Sequence, residues 1–291
     1  MARFIIGLMS LSLFVGVAGG AAARRPSGGV ARGSSHGATQ EEGVFDSFDK
    51  AVRAPEKVRR LSLQNEDPGL KHLRPGLGTL VNLEALELAC LEQLEDLPEE
   101  IGKLRKLQEL IIDNGNGCSM NVVLPRSIGE LSSLRVLRLY GALDPREVGA
   151  EGPVSPTRRK ALPDTLANLQ SLEELDLGRN GLESLPRQVG SLRRLKKLGL
   201  DYNDIHEIPA FVGELTNLEE LSLRSNGGVK LPQSLAGVKG LKIFMGNNRL
   251  KLRDQKALRA RFPAAVFSFE NEFDDEAANQ EPPKPRRGRR K

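Results

Sequence analysis

At 291 residues the chain is long enough for one large domain or two small ones, so length does not choose between them. Trp is absent, aromatics make up 4 % and Leu dominates the apolar residues, which speaks against a core of mixed shapes and for one packing solution used many times. The formal charge of +5 does not mark a nucleic-acid surface, because residues 41–269 hold 33 basic and 32 acidic groups and most of the basic excess lies outside them.

Met1-Ala2-Arg3 is a short positive start, Phe4 to Val17 is an apolar run broken only by small or hydroxyl residues, and Ala18 to Ala23 is a string of Ala and Gly. An apolar run of about 14 residues is short for a membrane span, which needs about 20, and suits a signal peptide. It covers residues 1–23, with cleavage after Ala23 give or take a few positions. No Cys lies near it to carry a lipid anchor. Residues 24–40, rich in Gly and Ser, read as a disordered linker. Residues 41–57 read as an N-terminal cap helix, with apolar residues of the stretch Val44 to Val52 at helical spacing, before Ala54-Pro55 turns the chain into a first strand at Val58 to Leu63.

A unit then recurs. Leu162-Pro163 leads through Leu166, Leu169, Leu172, Leu175 and Leu177 to Asn180; Leu185-Pro186, Ile208-Pro209 and Leu231-Pro232 restart the series, so the prolines stand 23 residues apart. Leu124-Pro125 and Leu97-Pro98 begin the series earlier, and Leu73-Arg74 begins it with Arg in place of Pro. The count is about seven and a half repeats over residues 58–253. The segment L-x-x-L-x-L alternates as a strand with one buried face does. The Asn that follows both donates and accepts, which satisfies backbone groups where the chain leaves the strand. The Pro presets φ for a short helical turn, and Ile101, Leu104 and Leu107, spaced by three, point inward from it. One unit cannot bury its own apolar side, so neighbours stack, with strands about 4.8 Å apart in a parallel sheet. Residues 254–271 read as a C-terminal cap, with a helix from Gln255 to Arg261, a stop at Pro263 and a strand at Val266 to Phe269. Residues 272–291, acidic and then basic, read as a disordered tail.

These residues resemble the leucine-rich-repeat family, in its 23-residue class with the signature L-P-x-x-I-G-x-L-x-x-L, over about 210 of the 291 residues. The resemblance implies an α/β fold, a leucine-rich-repeat solenoid: a curved right-handed superhelix with a parallel β-sheet on its concave side and short helical turns on its convex side. The N-terminal cap looks like the short helix that bacterial, exported members place before repeat one.

Repeat three is stretched to about 38 residues by an insertion at 141–161, which carries Pro145, Pro153, Pro156 and the basic run Arg158-Arg159-Lys160. It reads either as a tolerated surface loop or as a binding loop beside the concave face. Repeat two carries Asp113-Asn114-Gly115-Asn116-Gly117-Cys118 where a single Asn belongs, a turn rather than a calcium loop because no acid closes it. Cys90 and Cys118 leave the sheet on the same edge of adjacent coils, either as a disulfide or as two half-buried thiols. The outward strand positions form the candidate binding face: Glu109, Asp113, Arg138, Tyr140, Glu174, Asp176, Lys197, Asp201, Glu220 and Arg224. Glu87 and Ser222 stand alongside, with Ile111 and Val136 facing outward in the same register. Acids are in excess, and Arg and Tyr among charges are a common anchor composition. The alternative is a solvated sheet face.

His36, His72 and His206 are far apart, and no Ser or Cys has a His partner, so no catalytic residue, cofactor or metal is expected. The expected function is a non-enzymatic module, secreted or periplasmic and monomeric, that binds a protein ligand. Neither a specific nucleic acid nor a transmembrane segment after signal cleavage is expected. Two other readings stay open. One is a structural cell-envelope component whose basic ends bind anionic polymer or lipid. The other is an intracellular signalling adaptor of the Ras-associated repeat type, against which the signal peptide speaks.

Overall fold

Ten strands follow one another in a single parallel sheet whose spatial order is the chain order. They are β1 (Val44–Phe45), β2 (Arg60–Gln64), β3 (Ala85–Ala89), β4 (Glu109–Asp113), β5 (Val136–Tyr140), β6 (Glu174–Asp176), β7 (Lys197–Gly199), β8 (Glu220–Ser222), β9 (Lys242–Phe244) and β10 (Val266–Ser268). The computed structural model describes residues 42–64, 72–73, 76–91, 94–114, 121–143 and 162–269, all within one compact unit, Gln40–Lys291. The segments read as signal peptide (1–23), linker (24–40) and tail (272–291), together with Cys118 and residues 144–161 of the insertion, lie outside the described residues.

The alternation read from the sequence sets the layers. Leu61, Leu86, Leu110, Leu137, Leu175, Leu198, Leu221 and Ile243 pair with one another in one unbroken row, each almost wholly buried, and their neighbours on either side point to the open face. A second row, Leu63, Leu88, Ile112 and Leu139 within the strands, continues as Leu177, Leu200 and Leu223 just past the shorter ones. Behind the sheet each coil returns through a single 3-10 turn, for example Glu99–Lys103, Arg126–Glu130 and Ala210–Glu214. Three residues per turn matches the spacing of Ile101, Leu104 and Leu107, which are 0 % exposed. The prolines sit one position earlier than the first turn residue. Pro98 has φ −69° and ψ 150°, extended backbone that swings the chain into the turn.

From β6 to β9 each coil is stitched to the previous one by a buried asparagine, Asn180, Asn203, Asn226 or Asn248. Asn203 accepts the amides of Asn180 and Leu182 and donates to the carbonyls of Leu177 and Leu200; one and two coils later Asn226 accepts the Ile205 amide and Asn248 the Asn226 amide, and each donates to two carbonyls in turn. The residue before each takes left-handed backbone: Arg179 (φ 58°), Tyr202 (φ 55°), Ser225 (φ 56°) and Asn247 (φ 57°). Cys90 and Gly141 hold the same place and hand at the ends of β3 and β5.

The ends differ from the repeats. Within the range read as the N-terminal cap helix, Val44–Phe45 pairs with β2 as a strand, and the helix is confined to α1 (Phe48–Arg53). Pairing with Arg60 and Leu61 outweighs any local helical preference, because an otherwise bare sheet edge would leave its amides unpaired. At the other end α2 (Leu252–Arg261) buries none of its own residues completely. Closure comes from aromatics instead: Phe262 is 1 % exposed, and Phe267 stacks on Phe269 with ring centroids 5.5 Å apart.

Candidate binding face

The face of the sheet turned away from the leucine core consists of three rows running across the strands. The first row is Arg60, Ala85, Glu109, Val136, Glu174, Lys197, Glu220 and Lys242. The second is Ser62, Glu87, Ile111, Arg138, Asp176, Gly199, Ser222 and Phe244. The third holds Gln64, Ala89, Asp113 and Tyr140, and continues beyond the short strands at Gly178, Asp201 and Arg224. From β4 to β8 the charged residues of this face are six acids (Glu109, Asp113, Glu174, Asp176, Asp201, Glu220) and three bases (Arg138, Lys197, Arg224).

Arg138 on β5 binds Glu174 on β6, Nε to Oε1 at 2.6 Å. Burial works against the Arg138 charge, but the Glu174 hydrogen bond and charge outweigh it and hold the guanidinium above its ordinary pKa. Asp176 lies one pleat along β6 and is satisfied differently. Its Oδ1 accepts the Gly178 amide at 2.8 Å, and no group within the described residues donates to Oδ2. Burial pushes its carboxyl up to about 6; the Gly178 amide pulls the other way, and the Asp201 charge adds to the rise.

Two glycines explain how these groups lie so low. A Cβ at Gly199 would stand 2.8 Å from Asp176 Oδ1, and one at Gly178 would stand 2.8 Å from the Tyr140 ring. The Asp176 carboxylate therefore folds over Gly199 and the Tyr140 ring lies over Gly178, forming a shallow recess between β5 and β7. Burial also raises the Tyr140 pKa.

Asp201 closes the far side and is fully engaged. Its Oδ1 accepts the Ser222 hydroxyl at 2.6 Å and the Arg224 amide at 2.8 Å, and its Oδ2 takes Arg224 Nη1 at 3.3 Å. Burial raises the Asp201 pKa against these donors. Arg224 is itself held flat, its guanidinium carbon 4.7 Å from the centroid of the Phe244 ring.

The structure thus brings together Arg138, Tyr140, Glu174, Asp176, Asp201 and Arg224. Glu109 stands apart, 3.4 Å from Arg60, and Glu220 faces Lys242 at 3.9 Å, with Lys197 between Glu174 and Glu220 in the first row. Asp113 ends β4, where its carbonyl accepts the Cys90 amide. Cys90 is not a free thiol, and Cys118 lies outside the described residues. Reading single residues missed Gly178, Gly199 and Phe244. The available signal was Gly in D-L-G-R-N and L-G-L-D, where an outward side chain belongs.

His72 is bound to Asp96 at 2.9 Å near the N-terminal end, and His206 lies on a distant coil. Among the described residues no cluster of three His, Cys, Asp or Glu is placed to hold a metal, and no helix is long and apolar enough to cross a membrane.

Residues 154–258 match the family model described as a leucine-rich repeat region. Solved structures with similar folds include a leucine-rich-repeat protein of Leptospira interrogans, 25 % identical over 80 % of this chain and 67 % of that one, with a TM-score of 0.45. The plant peptide hormone receptor RGFR1, solved in complex with RGF2, is 21 % identical over 78 % of this chain and 31 % of the receptor, with a TM-score of 0.46. Internalin C2 of Listeria monocytogenes is 21 % identical over 66 % and 82 %, with a TM-score of 0.43. None of the curated proteins compared matches the sequence. A leucine spine and a 3-10 return repeated from coil to coil, together with the match over residues 154–258, give this chain the fold of a leucine-rich-repeat solenoid.

Proposed function

We propose that this chain is an exported, non-enzymatic module that binds a protein through the open face of its sheet, secreted or periplasmic and acting as a monomer. The observation that carries this reading is the composition of the face. Its centre combines an aromatic ring, two arginines and a shallow acidic recess, and anchors of that kind dominate protein interfaces. The returns behind the sheet carry instead surface ion pairs repeated from coil to coil, such as Arg105–Glu130 and Arg193–Glu214, which hold neighbouring coils in register.

Photo-cross-linking from single positions in the producing cell tests this. Benzoylphenylalanine at Ile111 or Lys197, on the face, is expected to give an adduct of one discrete mass, and at Arg187 or Gln233, on the returns, none. Adducts only from the returns would overturn the assignment of the face. Adducts that vanish when Arg286, Arg287, Arg289 and Arg290 are changed to Gln would pass binding to the basic end. Export is read separately: the mature protein is expected outside the cytoplasm, starting within a few residues of Arg24, and recovery from the cytosol with Met1 to Ala23 attached would overturn it.

A further inference from the structure

The charges of the open face are not balanced within the fold. Asp201 accepts from Ser222 and Arg224, and Glu174 has Arg138 at 2.6 Å. Asp176, between them, has one backbone amide on Oδ1 and no donor within the described residues on Oδ2. Arg138, the cation whose charge acts on Asp176, points its Nε at Glu174. At Gly178 and Gly199 no side chain rises from the sheet, so the Tyr140 ring and the Asp176 carboxylate lie low, in the space a Cβ would take. From β4 to β8 acids outnumber bases on this face by six to three, so this stretch of the face attracts a cation.

We infer that this recess seats an arginine side chain of the bound protein, its guanidinium donating to the free oxygen of Asp176 and lying against the Tyr140 ring. The inference rests on the sheet face being the binding surface and names the chemistry of its occupant. A planar guanidinium fits better than an ammonium for two reasons. It presents parallel N–H donors to a carboxylate, and it stacks on an aromatic face with less loss of hydration. Arg224 on Phe244 shows the same pairing of guanidinium and ring two strands further along the same face, made within the chain.

The probe is Nα-acetylarginine amide, titrated into the full chain while the backbone amides of Gly178 and Gly199 are followed by NMR. A saturable shift at both is expected, weaker by tenfold or more for the citrulline analogue, which keeps the shape and lacks the charge. D176N, checked for an intact unfolding transition, is expected to weaken the arginine titration by tenfold or more. No saturable shift, or equal shifts with citrulline or in D176N, would overturn the inference. Gly178 and Gly199 resonances that move before any ligand is added, on changing Arg286, Arg287, Arg289 and Arg290 to Gln, would assign the recess to the chain's own basic end and overturn a foreign occupant. Cross-linking from Ile111 and Lys197 reports on the face itself. Adducts there beside a recess blind to arginine would leave protein binding standing and remove only this occupant.

Discussion

Asn203 Oδ1 holds the amides of Asn180 and Leu182 at 3.0 Å each, while its Nδ2 donates to the carbonyls of Leu177 and Leu200, also at 3.0 Å. One buried side chain therefore satisfies backbone groups of two successive coils at the point where each leaves the sheet and no longer has ladder partners. Asn203→Leu keeps the branched shape and strands those groups in the core. Each buried unsatisfied group costs about 1–3 kcal/mol, so a loss of about 3 kcal/mol or more is expected in urea unfolding. Asn203→Asp restores only the acceptor and buries a charge, and should do no better. A loss below about 1 kcal/mol for Asn203→Leu would mean that water replaces the asparagine at little cost.

The glycines of the 3-10 returns divide into two kinds by what stands next to them. A Cβ at Gly129 would lie 2.3 Å from the carbonyl oxygen of Thr165 in the next coil, whereas one at Gly237 meets nothing within 4 Å. Gly129→Ala must push two coils apart and is expected to destabilise by about 1–3 kcal/mol. Gly237→Ala, at ordinary negative φ, should be neutral or stabilise by up to about 1 kcal/mol through the unfolded chain. Thermal unfolding of the two variants side by side separates packing from backbone entropy, and equal effects would contradict the distinction.

The repeat was legible because its cause is periodic. One spine position per coil, one proline and one asparagine recur in the sequence as they recur in space. Residues such as Arg138 and Asp176 could be placed on one face by counting from Leu137 and Leu175. What counting does not supply is the partner across the sheet. Glu174 and Asp176 look alike in sequence, yet one faces Arg138 and the other folds over Gly199, because the neighbouring strand offers a cation to the first and a missing side chain to the second. The same limit hid β1, where Val44 and Phe45 carry no local sign of the strand they pair with. It also hid the left-handed residues before the asparagines, since Arg, Tyr and Ser carry no preference for that backbone and are held there by the coil.

Cys90 leaves β3 in left-handed backbone with its amide bonded to the Asp113 carbonyl of the adjacent coil, the coil whose continuation carries Cys118. A Cys90–Cys118 disulfide is expected in the folded chain. Reduction should add the mass of two protons with their electrons, and Cys90→Ser with Cys118→Ser should destabilise by about 3–4 kcal/mol, the chain-entropy value for a loop of this length. An unchanged mass on reduction would leave the two cysteines unjoined.

Asp176 links stability to binding through its charge. Its carboxyl ordinarily titrates at 3.8 and in the fold is pushed up to about 6 by burial. Between those values the folded chain holds the proton more often than the unfolded chain, so stability falls as pH rises from about 4 to 6 and stays lowered above it. A rise of this size corresponds to about 3 kcal/mol at most, and partial exposure to water reduces it. Asp176→Asn keeps an oxygen for the Gly178 amide and carries no charge, so it is expected to unfold about 1–3 kcal/mol later than the parent at pH 7, the gain shrinking toward zero as the pH falls toward 4. Urea unfolding at both values checks this, and an Asn variant no more stable at pH 7 would show that the charge is not held at a cost. A carboxylate that weakens the fold while ionised is stabilised by a cation from outside. The substitution that strengthens the fold should therefore be the one that empties the arginine recess.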